Sequence, residues 1–232
     1  MGAPQSSNPL VPLGVFRQRR LTGANIVAAL AGAGATSVFF FVSLYLQQVL
    51  GFDPLATGFA FVPLALAIVV GANVASALVT RYGAGTVLTG GLLVLAVSFL
   101  WLGRIDAGGS YLGDVLFPSL LAGLGVGCSV VPATIAAVGA LPPEKAGLAS
   151  GLITTAQQVG GALGLATLVA IAAVRTSAVT GNAGAAGAKE ALAAGFRASL
   201  AAGALLALLG AILALILVWR PRLRAGDRSD TP

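Results

Sequence analysis

The sequence contains no histidine, a single cysteine and very little charge. Charged residues make up 9% of its 232 positions, whereas roughly 25% is typical of a soluble domain. Without histidine there is no Ser-His-Asp triad and no imidazole metal ligand. The lone Cys128 excludes an internal disulfide and any paired-cysteine zinc or redox site.

Motifs of three common enzyme classes are also missing. The patterns GxxxxGK[ST], HExxH and GxSxG do not occur, so ATP hydrolysis, zinc proteolysis and serine-hydrolase chemistry have no motif support. The sequence therefore predicts that the chain is not an enzyme and that it holds neither a metal nor a cofactor.

Apolar residues dominate what is present. They make up 57% of the chain, and the mean hydropathy is +0.97, which indicates that lipid is the main solvent. The net charge of +6 does not indicate nucleic-acid binding, because the basic residues lie between apolar runs and not on one polar face. The sequence predicts an all-α membrane protein whose main partner is the lipid bilayer.

Six stretches are long enough to cross the hydrocarbon core, which takes about 20 mostly apolar residues. They cover residues 22–50, 56–80, 86–103, 112–141, 148–174 and 198–219. We therefore predict a cytoplasmic juxtamembrane segment at 1–20, a six-helix transmembrane bundle at 21–219 and a basic cytoplasmic tail at 220–232. The connector 175–197 is predicted to be a flexible loop, with a short interfacial helix as the alternative.

Basic residues are distributed unevenly between alternate connectors. With both termini on one side, that side holds nine of the 13 basic residues, and the other side holds Arg104, Arg175, Lys189 and Arg197. Because cytoplasmic loops carry the excess of Lys and Arg, we predict a multi-pass protein of the cell membrane with both termini in the cytoplasm.

One face of the first span carries polar and small residues at helical spacing. Its members are Asn25, Gly32, Thr36, Phe40, Ser43 and Gln47. An unpaired amide or hydroxyl is costly in hydrocarbon, so this face is expected to meet protein or water. We predict that Asn25, Thr36, Phe40 and Gln47 line a substrate cavity.

The fifth span carries a second face of this kind. Its members are Ser150, Thr154, Gln157, Gly161 and Gly164, and Gly147 with Gly151 forms a GxxxG pair nearby. Two interpretations stay open. Small residues permit close helix packing, and polar residues can line a cavity.

No acidic residue lies near the middle of a span. Asp53, Asp106 and Asp114 fall at the predicted outer ends, where they are expected to be solvated or to cap helices. The third and sixth spans consist almost entirely of aliphatic residues and are predicted to form the lipid-facing scaffold.

Four segments of the chain stand out by their sequence: YLQQVLGFDP at 45–54, FVPL at 61–64, PPEKAGLASG at 142–151 and TTAQQVGGALG at 154–164. Together they resemble the C-terminal half of the 14-span drug:proton antiporters of the major facilitator superfamily. The resemblance extends over residues 8–219. The loop 80–85 departs from it, because only Arg81 and Gly83 of the family's charged loop motif are kept.

This resemblance implies a six-helix bundle that is one of two pseudo-symmetric halves, with transport by rocking of one half against the other. In such proteins the first and fourth helices of each half line the cavity, which adds Thr134 of the fourth span as a candidate, and the second and fifth helices meet the other half. The resemblance thus implies proton-coupled efflux of small amphipathic drugs.

The chain is expected to be inactive alone, because the N-terminal half of such a transporter is missing from it. Two alternatives stay open. The chain is a half-size transporter that works as a homo- or heterodimer, or it is a membrane scaffold or subunit that transports nothing itself.

Overall fold

A computed structural model describes residues 19–105, 108–139, 142–183 and 187–218. Every regular element in these ranges is helical. The α-helices are α1 (Arg19–Leu44), α2 (Pro54–Ala60), α3 (Val62–Tyr82), α4 (Ala84–Leu102), α5 (Phe117–Val138), α6 (Ala146–Ala183) and α7 (Ala188–Leu213). Shorter π-helical turns lie at Tyr45–Val49, Tyr111–Leu116 and Ala214–Val218, and a 3-10 turn lies at Pro143–Lys145.

Six helical segments within the described ranges are long and apolar enough to cross a membrane. They are Leu21–Val49, Pro54–Tyr82, Ala84–Leu102, Tyr111–Val138, Ala146–Thr180 and Lys189–Leu217. They match the six predicted spans in order, so the predicted all-α membrane fold is confirmed. The predicted tail at 220–232, most of the segment 1–20 and Asp106 lie outside the described residues.

The prediction of a flexible loop over residues 175–197 is wrong for the part of this connector that the structure describes. α6 continues to Ala183, and α7 already begins at Ala188. The two helices pack closely here, because a Cβ on Gly195 of α7 would collide with the Thr176 hydroxyl of α6, and Ala191 is fully buried. Contact between the helices extends them beyond their apolar stretches.

Two of the predicted end-of-span aspartates are confirmed as helix caps. The Asp53 carboxylate accepts a 2.7 Å hydrogen bond from the Ala56 amide at the start of α2. At the start of the Tyr111–Leu116 turn, the Ser110 hydroxyl accepts from the Gly113 amide, and the Asp114 carboxylate accepts from the Ser110 amide at 2.7 Å. These bonds satisfy amides that a helix N-terminus leaves unpaired.

The helices pack in two rows. α3 packs against α5, α5 against α1, and α1 against α6, which makes a first row in the order α3, α5, α1, α6. α4 and α7 pack against each other and behind this row, where α4 contacts α5 and α7 contacts α1 and α6. The apolar core between the rows includes Phe41, Leu92, Leu95, Phe99 and Leu200, all of which are buried.

Glycines bring α5 close to both of its neighbours. A Cβ on Gly123 would lie 2.6 Å from the Leu64 carbonyl oxygen of α3, and a Cβ on Gly125 would lie 2.7 Å from the Leu95 nitrogen of α4. Real Cβ atoms do not approach backbone so closely, so these positions require glycine. The contacts fix α3 and α4 on opposite sides of α5.

Candidate functional site

One side of the first row is not covered by any other described helix. Within the most apolar part of each span, 11% of α6 and 22% of the α2–α3 span are buried, against 56% of α4. Large aliphatic side chains are exposed on both outer helices of the row, including Leu66 and Val70 of α3 and Leu163 of α6. We name this exposed side of α3, α5, α1 and α6 the open face.

Thr36 is a predicted cavity residue that lies on the open face. Its side chain is exposed, and its hydroxyl oxygen is 2.6 Å from the point where Gly161 of α6 would carry a Cβ. Gly34, two positions earlier, instead lies against Leu95 and Phe99 of α4. One side of α1 therefore contacts the second row, and another side lies on the open face.

Asn25 and Gln47 lie near opposite ends of the first span. The half-buried Asn25 amide donates to the Leu21 carbonyl at 2.8 Å, and the exposed Gln47 amide donates to the Ser43 hydroxyl at 3.0 Å. These two predicted cavity residues are 22 positions apart, which is about 33 Å along a helix. They are too far apart to contact one small ligand at the same time. If both line the cavity, they therefore line different levels of a path along α1.

The two remaining predicted cavity residues are both half-buried. The Phe40 ring packs edge-on against Phe41, with centroids 5.5 Å apart. The Thr134 hydroxyl of α5 donates to the Val130 carbonyl at 3.1 Å. The structure therefore distributes the candidates over two adjacent helices of the first row.

The glycine-rich part of α6 crosses α1 at very short distance. A Cβ on Gly160 would collide with the Ala29 backbone, one on Gly164 would collide with α1, and one on Gly32 would collide with the Gln157 carbonyl. Small residues are what allows two membrane helices to approach in this way. Gly161 and Gly164 from the predicted face are thus brought against α1.

The first part of α6 leaves its predicted packing residues uncovered. Among the described residues, no atom outside the local helix lies within 4 Å of the Cβ position of Gly147 or Gly151. Ser150 and Thr154 are exposed, and the Thr154 hydroxyl donates to the Ser150 carbonyl within the helix. The predicted face is therefore divided between a packed half and an open half.

Gln157 lies where these two halves meet. Its Nε2 is buried and has no hydrogen-bond partner among the described residues. Leaving such a donor unpaired costs about 1–3 kcal/mol.

A groove that no sequence pattern indicates lies at the end of the bundle where α1 ends and α7 begins. It has a volume of about 540 Å³ and is lined by three helical spans. Its polar lining residues are Gln48, Thr176, Ser177 and Thr180, opposite the Phe196 ring. Gln48 follows Gln47 by one position and therefore lies about 100° away from the predicted face, so periodicity within one span could not include it.

The chemistry of the open face is neutral. Among the described acidic residues, Asp53 and Asp114 cap helices, and Glu144 and Glu190 are exposed near helix ends. No group of three or more His, Cys, Asp or Glu side chains in the described ranges could hold a metal ion. Hydroxyls, amides and aromatic rings are what the arrangement offers to a ligand.

Residues 2–165 of the chain match the model described as Major Facilitator Superfamily. This range contains all of α1 to α5 and the part of α6 that crosses α1.

Curated bacterial proteins are similar to the chain as well. It is 38% identical to the puromycin resistance protein pur8 of Streptomyces alboniger over 74% of the chain and 35% of that protein. It is 35% identical to the cephamycin export protein CmcT of Amycolatopsis lactamdurans over 74% of the chain and 36% of that protein. It is also 35% identical to the tetracenomycin C resistance and export protein of Streptomyces glaucescens over 75% of the chain and 32% of that protein. The chain thus spans about a third of the length of these relatives.

Proposed function

The chain belongs to the major facilitator superfamily, and from this premise we propose that it forms one six-helix half of a transporter that exports small amphipathic drugs. The open face is the observation that carries the proposal. Thr36, Ser150 and Thr154 are exposed on this side, and hydrocarbon offers such hydroxyl groups no hydrogen-bond partner beyond those of their own helix. A second bundle that closes a cavity over this side would supply both partners and water.

The exposed flanks of the first row fit a second bundle. α3 and α6 are the least buried spans, and they stand on either side of α5 and α1. A matching half that contacts α3 and α6 would leave a cavity between its own central helices and α5 and α1. Alternating access then follows from rocking the two bodies about a site near the membrane midplane.

The lining suggests the class of substrate. Thr36 and Gln157 offer neutral hydrogen-bonding groups, and Phe39 is an exposed aromatic ring that stacks with Phe61 at a centroid distance of 5.5 Å. Such a surface suits a molecule with apolar rings and several polar atoms. The relatives are named for resistance to puromycin and for export of cephamycin and tetracenomycin C, and we propose substrates of similar chemistry.

Proton coupling would depend on a group outside this chain. A coupled proton needs a titratable side chain that can face both sides in turn, and the acidic residues of this sequence lie outside the middle of the spans. In the proposed transporter, the matching half carries the proton and this half shapes the cavity. Both termini would lie in the cytoplasm, in keeping with the distribution of basic residues.

Co-expression tests the proposal. The chain is produced in drug-sensitive cells alone, and with the N-terminal part of the Streptomyces alboniger puromycin resistance protein, and the minimal inhibitory concentration of puromycin is measured. We expect no resistance from the chain alone and a gain on co-expression. In the co-expressed pair, Gln157→Leu should reduce that gain, whereas Leu209→Ala, on the exposed side of α7, should not.

Two results would support the alternatives. Resistance conferred by the chain alone would contradict a half that needs a different partner and would favour a half-size transporter acting as a dimer. Membrane-inserted chain that gives no resistance with any matching N-terminal part would favour a scaffold. Equal effects of Gln157→Leu and Leu209→Ala would show that Gln157 is not part of the site.

A further inference from the structure

A second groove lies between α6 and α7. It has a volume of about 670 Å³. Six residues of α6 and one of α7 line it: Thr167, Ala170, Ile171, Val174, Arg175, Ala178 and Ala198. Because α1, α3 and α5 contribute nothing to it, this α6–α7 groove is separate from the proposed drug cavity.

Arg175 lies near the level at which the first apolar span ends. Its neighbour Thr176 shares a groove with Gln48, and Gln48 is next to Val49, the last residue of the first apolar span. From Arg175 down to Thr167 the groove extends about 12 Å along the helix toward the bundle centre. The groove thus has a cation at the membrane boundary and an apolar wall at hydrocarbon depth.

The charge of Arg175 has no counter-charge in the described residues. Its side chain is exposed, and it forms neither an ion pair nor a hydrogen bond with any described group. The Thr167 hydroxyl, the other polar group of the lining, already donates to the Leu163 carbonyl at 2.8 Å. Arg175 is therefore the group in the groove whose charge and hydrogen-bond donors are not used by any residue that the structure describes.

We propose that the α6–α7 groove binds an anionic phospholipid, with one acyl chain along the apolar wall and the phosphate on the Arg175 guanidinium. A phospholipid is complementary to the groove. Its anionic phosphate would lie at the level of Arg175, and its hydrocarbon chain would lie along the apolar wall beneath. Guanidinium groups bind phosphate oxygens through paired, charge-assisted hydrogen bonds. The occupant is a lipid and not the transported drug, because α1 and α5, against which the proposed drug cavity lies, contribute no residue to the groove.

Lipid titration followed by native mass spectrometry tests this proposal on the purified chain. We expect phosphatidylglycerol to bind more tightly than phosphatidylcholine with the same acyl chains. Arg175→Gln should weaken phosphatidylglycerol binding about fivefold, the factor expected for one basic residue near an anionic headgroup. Ala170→Phe, which fills the groove without changing charge, should weaken the binding of both lipids.

Arg197→Gln is the matched control, because Arg197 is also exposed and lies on α7 near the same end, but does not line the groove. It should leave both affinities unchanged. Equal losses with Arg175→Gln and Arg197→Gln, or no preference for phosphatidylglycerol, would overturn the proposal. Displacement by millimolar inorganic phosphate would also overturn it, because the site would then bind a free anion. The readout needs no transport, so its failure is distinct from a failure of the proposed function.

Discussion

The crossing of α1 and α6 makes a quantitative prediction about stability. Gly160→Ala adds one methyl group where the Ala29 backbone already occupies the space. Backbone cannot rotate away as a flexible side chain can, so the two helices must separate at this point. Overpacking of this kind costs about 1–3 kcal/mol.

Gly151→Ala is the matched control for this substitution. Gly151 is in the same helix, but no atom of the described part of the chain outside that helix lies within 4 Å of its Cβ position. Alanine is a better helix former than glycine by up to about 1 kcal/mol, and this gain applies to both variants. The difference between the two variants therefore isolates the crossing, and we expect Gly160→Ala to be less stable than Gly151→Ala by about 1–3 kcal/mol.

Unfolding of the purified chain in mixed micelles measures this difference. Sodium dodecyl sulfate is titrated, and loss of helix is followed by circular dichroism for the wild type and both variants. Gly32→Ala, which meets the Gln157 carbonyl from the other side of the crossing, should behave like Gly160→Ala. Equal free energies of unfolding for Gly160→Ala and Gly151→Ala would refute the close contact between α1 and α6.

Two further predictions concern topology and access. Reporter fusions after Thr80 and after residue 141 should report cytoplasm, and fusions after Asp53 and Asn182 should report the outside, because the basic residues favour cytoplasmic termini; the reversed pattern would contradict this orientation. Single cysteines at Thr36 and Gln47 should react with polar thiol reagents, whereas one at the buried Leu95 should not, and equal labelling at all three would exclude an accessible open face. The labelling background is Cys128→Ser, which keeps a donor for the Gly71 carbonyl that the Cys128 thiol contacts at 3.3 Å.

Hydropathy predicted the positions of the apolar spans well, but it did not predict how far the helices continue beyond these spans. The first span was expected at 22–50 and is observed at Leu21–Val49. The fifth was expected to end at residue 174, yet α6 continues to Ala183. Hydropathy reports which residues favour lipid, and Arg175 and Thr180 do not. The helix persists there because α7 packs against it, and that contact cannot be deduced from either segment alone.

Periodicity likewise predicted which residues share one side of the helix, but it did not predict which other helix that side contacts. Ser150, Thr154, Gln157 and Gly161 lie on one stripe of the sequence, as expected. In the structure Gly161 is buried against α1, whereas Ser150 and Thr154 are exposed. The two helices cross and then diverge, so the same stripe meets different surroundings at different heights. Crossing angles depend on the packing of both partners.

The contact with α1 divides α6 into a shorter and a longer part, so a tilt of the helix about this contact moves its two ends by different distances. Gly160 is 14 residues from Ala146 and 23 residues from Ala183, or about 21 Å and about 35 Å along the helix. A tilt of about 10° around this fulcrum moves the short-arm end by about 4 Å and the long-arm end by about 6 Å, given the helical rise per residue. Small adjustments at the glycines are thus magnified at the Ala183 end of α6.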